Sequence, residues 1–266
     1  MNKKLTKIIK NIIFKSPLKN NYNFTYHTQR YKIDDILTAI LFILKRGLCW
    51  RDYTQIYWNT IYKHFRKLSS LNIFASTYKQ LLKKYFKKAP NKKLRIIMTD
   101  TTFIANKNGS DKCRRNKYMK NKKVMKVSLI TDLYGIPIYV DTFSGNIHDS
   151  KILFEQLDRK PLYEQTIKRY FLADKGYDSK KIKNKLANIG FVPLIAQNKR
   201  NIKNTKKIKK MNKFNKKLYK RRINIEMFFG LLKRSFKRLS QRYDKYSINY
   251  DSFLYFALCC IVIQKI

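Results

Sequence analysis

The sequence predicts an α/β protein: a mixed five-stranded sheet with flanking helices, preceded by a small all-α module. Three observations predict it. From residue 32 to 86 the apolar residues recur at helical spacing. Past Pro90 they shift to short runs rich in β-branched and aromatic residues, the composition of strands. From 149 onward such runs alternate with helical segments, as parallel crossover units require.

Taken in order, residues 1–30 are basic and irregular and are expected to form a partly ordered arm. In 32–46, Ile36, Leu37, Ile40, Leu41 and Leu44 give one buried helical face. Asp34 and Asp35 suit its positive end and Gly47 stops it. A second helix is expected in 54–68, where Trp58, Ile61, Tyr62 and Phe65 share a face, and a third in 74–86. These helices suit a helix-turn-helix-like DNA-binding module and, equally, a helical cap on the next domain. The run around Pro90 marks the boundary, giving domains 1–90 and 91–266. Strands are expected at 94–99, 124–131, 136–143, 169–173 and 191–196, with helices at 150–158 and 180–189. Asp149 or Ser150 would cap the first of those helices, and Asp178 or Ser179 the second. Leu133-Tyr134-Gly135 is too short for a crossover, so the strands around it form an antiparallel hairpin with Asp132 in its turn. Three antiparallel strands followed by two parallel ones is the order of a ribonuclease-H-like fold. Residues 253–263 are continuously apolar but too few to span a bilayer, and read as a buried terminal helix.

Charge bounds the partners. The chain has 61 Lys and Arg against 16 Asp and Glu, a formal net charge of +45. Such a field favours polyanions, nucleic acid foremost, and makes association salt-dependent. Two segments concentrate it. Residues 106–123, with Arg114 and Arg115, join the first two strands, and the lysine-rich insert 198–217 carries no acid. Both read as solvated loops able to meet phosphates. Cys49, Cys113, Cys259 and Cys260 lack the spacing of a zinc site, and a reducing compartment suits them.

The acids that remain are sparse and placed. Asp100 closes the first strand and Asp174 the fourth. An Asp after a strand is more often a turn or cap residue, but these two close strands expected side by side at the sheet centre. Ligand sites of open α/β sheets form at such strand ends. Glu226 could complete a trio from the last third of the chain. There Tyr219, Arg222, Glu226 and Lys233 fall on one helical face, opposite the apolar Ile225, Phe228, Leu232 and Phe236. Three converging carboxylates in a basic protein suit two Mg²⁺ ions set for in-line phosphodiester displacement.

These segments resemble the DDE transposases of the insertion-sequence four/five superfamily. Asp100-Thr101-Thr102 resembles the first-aspartate motif, Gly145 through Ser150 the Gly-x-x-His-Asp-Ser turn, and Leu172 through Asp178 the second-aspartate motif. Tyr219, Arg222, Glu226 and Lys233 match the glutamate signature in spacing. The resemblance covers roughly residues 30–264. It implies Asp100, Asp174 and Glu226 as catalytic metal ligands for Mg²⁺, with Mn²⁺ able to substitute. It further implies DNA contacts or glutamate positioning by Tyr219, Arg222 and Lys233. Lys175, His148, Arg114 and Arg115 are further expected contacts to DNA. The expected activity is hydrolysis at element ends followed by transfer of the 3′-OH into target DNA. The expected partners are double-stranded DNA, as terminal inverted repeats and target, and further copies of the chain in a synaptic assembly, with no membrane. The expected location is intracellular, at DNA. The rival readings are a domesticated or inactive DNA-binding derivative, a ribonuclease-H-like nuclease without strand transfer, and a purely basic nucleic-acid packaging protein.

Overall fold

The computed structural model describes residues 3–15, 31–87, 94–158, 169–198 and 213–266. The helical beginning comprises α1 (Lys3–Phe14), α2 (Ile33–Arg46), α3 (Trp58–Ser70) and α4 (Ile73–Lys87). Then follow β1 (Ile96–Asn106), β2 (Arg114–Asn116), β3 (Lys122–Thr131), β4 (Pro137–Ser144) and α5 (Asp149–Asp158). Next come β5 (Arg169–Ala173), α6 (Lys180–Asn188) and β6 (Phe191–Ile195). The last elements are α7 (Lys213–Tyr219), α8 (Ile223–Ser235), β7 (Gln241–Arg242) and α9 (Ser247–Val262).

The chain forms two compact units: Met1–Lys88 with Ala105–Asp111 and Leu232–Ile266, and Ala89–Ile104 with Lys112–Leu231. The boundary expected at Pro90 lies outside the described residues. No shift in composition marks the chain's return to the first unit after Leu231.

The first unit is helical. Residues 3–14 are an α-helix where an irregular arm is expected from the sequence. The reason is a face of Leu5, Ile8, Ile9, Ile12 and Ile13, all buried, which outweighs the surrounding lysines. The rest of that arm, 16–30, lies outside the described residues. In α2 the expected face is buried, and Gly47 ends the helix at φ 75° with its N–H donated to the Ile43 carbonyl. Phe65 stacks on Phe253 at 4.4 Å and Phe74 on Phe256 at 4.8 Å, so α9 threads an aromatic core. The stretch Ser247–Lys265 is long and apolar enough to cross a membrane, yet 72% of it is buried within the protein, as befits a core helix. Arg242 is fully buried and is bound by the Asp111 carboxylate and the carbonyls of Asp244 and Lys245. Asp111 in turn accepts from Ser247 N at the start of α9.

The second unit holds the mixed sheet. Its strand order is β2-β3-β1-β5-β6, with β4 also on β3. β3 and β4 are antiparallel over Met125–Thr131 and Pro137–Ser144, and Asp132 accepts from the Tyr134 and Ile136 amides in the turn between them. β1, β5 and β6 are parallel. β3 is buried at every position from Val124 on, as expected of a strand covered on both faces. The five expected strands are present, with β2 and β7 in addition. β2 lies in the expected loop 106–123, where Arg114–Asn116 pair with Lys122–Val124 of β3. Of the basic insert, 199–212 lie outside the described residues, and its last residues open α7.

One expectation needs correction. Asp100 does not close its strand, because β1 continues to Asn106. The paired portion with β5 ends at Met98, and the far end of β1 pairs instead with β7. Asp100 therefore lies between two pairings, at a position where the backbone has left β5.

Candidate active site

The elements bring the carboxylates together by three separate routes. β1 and β5 are parallel neighbours in register at Met98 and Leu172. Asp100 and Asp174, each two residues further on, therefore stand at the same end of that pairing, Asp100 within β1 and Asp174 just past β5. Asp174 is extended (φ −71°, ψ 166°) and opens the tight turn Lys175–Tyr177, its carboxylate accepting from Lys175 N at 2.7 Å. Tyr177 in that turn donates its amide to the Asp174 carbonyl at 2.9 Å and buries its ring.

Glu226 comes from the first turn of α8. Ile225 and Phe228 face the core, which turns Glu226 outward. Two contacts fix the helix start against the β3–β4 hairpin. Asn224 Nδ2 donates to the Leu133 carbonyl at 2.7 Å. Gly135, at φ 81°, lets the backbone approach so closely that a Cβ there would meet Asn224 O at 2.9 Å. Tyr219 supplies a third tie, its hydroxyl donating to the Ala173 carbonyl at 3.3 Å, one residue before Asp174.

The segment carrying the signature is not one continuous α-helix. Lys220–Arg222 form a tighter 3-10 turn between α7 and α8. In such a turn residues three apart eclipse. Arg222 Nη1 accordingly donates to the Tyr219 hydroxyl at 3.3 Å.

Arg222 is the centre of the site. Its guanidinium lies 3.5 Å from Asp100, 3.7 Å from Asp174 and 3.9 Å from Glu226. The guanidinium side chain is 12% exposed, against 23%, 48% and 52% for the three carboxylates. At these separations it attracts all three without closing a hydrogen bond to any of them. Its Nε is buried with no hydrogen-bond partner among the described residues. Among the described residues no three acidic, His or Cys side chains are grouped closely enough to hold one ion. The carboxylates surround a guanidinium instead.

Electrostatics follow from this crowding. Burial pushes the Asp100 carboxyl up to about 6, the Thr101 amide and Arg222 pull it back, and the charges of Asp174 and Glu226 add to the rise. For Arg222, burial opposes the charge, and Tyr219, Asp100 and Asp174 outweigh it, so its value stands above the ordinary one. Burial raises the Tyr219 hydroxyl against the opposing pull of Arg222. The Tyr177 hydroxyl is held well above its usual value by burial and then by Asp149 and Asp100. Three carboxylates against one guanidinium leave a local negative charge inside a strongly cationic chain.

The other expected site residues lie as follows. His148 is exposed and its Nδ1 meets Ser150, with Oγ at 2.7 Å and the amide N at 3.2 Å. Since the Ser150 amide donates to Nδ1, that nitrogen carries a lone pair. Lys175 is exposed in the turn after Asp174, and Arg114 and Arg115 are exposed on β2. Lys233 is half-buried in the last turn of α8, and burial lowers its value.

A layer behind Asp100 escaped the sequence reading. The Lys126 ammonium, on β3, donates to Asp149 Oδ1 and to the Ile147 carbonyl, each at 2.7 Å. The same Asp149 oxygen accepts from Thr101 Oγ1 at 2.9 Å. Thr101 N donates to Asp100 at 2.8 Å. The available signal was a lone lysine inside the apolar run of β3. Asp149, expected as a helix cap, is the first residue of α5 and spends its side chain on Lys126 and Thr101.

The family model described as a transposase DDE domain matches residues 91–263. No curated protein matches the chain. Among solved structures the chain is similar to the Mos1 strand transfer complex, at 12% identity and a TM-score of 0.35, over 89% of this chain and 76% of that one. It is also similar to the Mos1 transposase paired-end complex with left transposon end, at 14% identity and a TM-score of 0.26, over 77% of each chain. Likeness this slight carries nothing further.

Proposed function

The chain belongs to the transposase DDE domain family, and we propose that it is a DNA transposase of the insertion-sequence four/five type. The observation that carries the reading is the gathering of Asp100, Asp174 and Glu226 around Arg222. The finer assignment rests on the Tyr219, Arg222, Glu226 and Lys233 spacing.

The donor chemistry fits a divalent metal. Carboxylate oxygens are hard ligands of the kind Mg²⁺ and Mn²⁺ take, and the cluster keeps a negative charge after Arg222 is counted. Asp100, Asp174 and Glu226 would hold two such ions. Bound metal would activate the attacking oxygen and stabilise the leaving oxygen of a phosphodiester displacement.

The chain's own residues do the rest. Arg222 draws the three carboxylates toward one point, and they would close further around an ion at loading. Asp100 must be ionised to bind, which favours pH above about 6. The parallel strands fix Asp100 and Asp174, and the hairpin contacts of α8 fix Glu226. Tyr219, Arg222, Lys233, Lys175, His148, Arg114 and Arg115 would meet DNA, the cations neutralising phosphates. In this reading residues 1–90 bind the element's terminal inverted repeats and 91–266 cut and join. Water first opens the phosphodiester to leave a 3′-OH. That hydroxyl then attacks a target phosphodiester and expels the target's 3′ oxygen, one bond forming as one breaks. Both ends must be joined together, so two or more copies act in one assembly, inside the cell and at DNA.

The test is a supercoiled plasmid carrying the gene's native flanks, incubated with the protein and Mg²⁺ or Mn²⁺. Cuts at the flanks and joined products, both lost in EDTA, are expected. Cuts without joining would make the protein a nuclease, and binding without cuts would make it a DNA-binding derivative.

A further inference from the structure

In the Gly-x-x-His-Asp-Ser turn the proposed chemistry gives a task to His148 alone. Asp149 Oδ1 lies between two donors, the Lys126 ammonium at 2.7 Å and the Thr101 hydroxyl at 2.9 Å. Lys126 is 4% exposed, and its remaining contacts are the Ile147 carbonyl at 2.7 Å and the face of Phe103 at 4.9 Å. A buried ammonium so bound has one low-energy position, because any other leaves it unpaired in the interior.

The turn itself is held just as tightly. Gly145 donates its amide to Val124 O at 3.1 Å, and Asn116 Nδ2 donates to the Gly145 carbonyl at 2.6 Å. A Cβ at Gly145 would come within 2.3 Å of Val124 O, so only glycine allows this approach. These polar contacts tie the turn to β3, and the bond between Asp149 and the Thr101 hydroxyl carries the tie on to β1. Thr101 adjoins Asp100, and its amide is the donor to the Asp100 carboxylate.

We propose that Lys126, Asp149 and Thr101 form a buried strut that orients the Asp100 carboxylate for metal, making Thr101 a positioning residue whose hydroxyl is its point of attachment. This rests on the proposed metal-dependent site. The strut matters because β1 at Asp100 has left its pairing with β5, so no ladder bond on that side fixes the strand there. Without the hydroxyl bond, Thr101 and the amide beside Asp100 lose the contact that sets their orientation. Groups that orient a metal ligand typically change metal affinity by about 10–100-fold when removed.

The experiment is Mn²⁺ titration calorimetry on the full chain without DNA, with wild type, Asp100→Asn, Thr101→Val and Thr101→Ser. Thermal unfolding and DNA affinity in EDTA are measured alongside. Thr101→Val should bind Mn²⁺ about 10-fold more weakly while keeping its fold and its DNA affinity. Thr101→Ser, which keeps the hydroxyl, should restore wild-type affinity, a rescue that mere packing of the threonine methyl would not give. If the valine variant does not fold, Thr101→Ala carries the same comparison. Wild-type Mn²⁺ affinity in the folded variant lacking the hydroxyl, with Asp100→Asn impaired, would overturn the strut and leave the metal site standing. Absence of Mn²⁺ binding by wild type would overturn both.

Discussion

Arg222→Met removes a cation that lies within 4 Å of all three carboxylates. The metal-free protein should then lose about 1–2 kcal/mol at pH 8, a modest figure because two of the partners are about half exposed. Urea unfolding in EDTA measures it, and Mg²⁺ should recover most of the loss. Asp100 gives a pH signature. Its folded value, about 6, lies above its ordinary 3.8, so the folded chain holds this proton more tightly than the unfolded chain. Its contribution to stability is therefore most favourable below about pH 4 and declines as pH rises through 6. Asp100→Asn abolishes that decline. Relative to wild type, the variant should gain on the order of 2 kcal/mol between pH 4 and 7 in EDTA, read by unfolding at each pH. The three carboxylates and Arg222 were visible as spacing in the sequence. That Arg222 faces all three was not, because the 3-10 turn that swings it into place leaves no mark in helical periodicity. Lys126, Asp149 and Thr101 escaped for a related reason: their pairing spans three elements and exists only once those elements are packed.

At the scale of elements, α8 is the part that brings Glu226 to the aspartates, and its two glycine neighbours make opposite predictions. Gly135→Ala forces a side chain into a left-handed backbone 2.9 Å from Asn224 O. It should cost about 1–3 kcal/mol and loosen the start of α8, lowering activity along with the unfolding temperature. Gly230 lies inside α8, where an added Cβ would meet nothing within 4 Å. Gly230→Ala should therefore stabilise the protein by about 0.5–1 kcal/mol. Denaturant midpoints separate the two. Helices and strands were legible because their apolar periods differ. The continuation of β1 past Asp100 was not, since its far end is held by β7, a pairing of two residues on each side with no periodic signal. The helix α1 was hidden by lysines interleaved with its buried isoleucines, which lower the mean apolarity without breaking the face.

For the whole molecule, the proposed function has the net charge of +45 govern the encounter with DNA. Affinity for an arbitrary duplex should fall steeply and linearly in log–log form as salt rises, by about 10³-fold or more between 50 and 200 mM if six or more phosphates are contacted. Fluorescence anisotropy over a salt series reads the slope, and a slope near zero would deny charge its part. The carboxylates should leave that binding nearly untouched, since they contribute three negative charges to a strongly positive total. Charge and composition set up the expectation of a polyanion partner from the sequence, and the salt series tests it. The union of Leu232–Ile266 with the helical beginning was not announced, because joining distant segments alters no local composition.

In the proposed function Asp100, Asp174 and Glu226 act as one metal-binding, DNA-cutting centre. The direct measurement compares wild type with Asp100→Asn, Asp174→Asn and Glu226→Gln in single-turnover cleavage of labelled duplex from the gene's flanks with Mg²⁺. Each isosteric change should lower cleavage and joining by about 10²-fold or more, with duplex affinity in EDTA unchanged. Wild-type cleavage by any one of the three, with its substituted carboxylate gone, would contradict it.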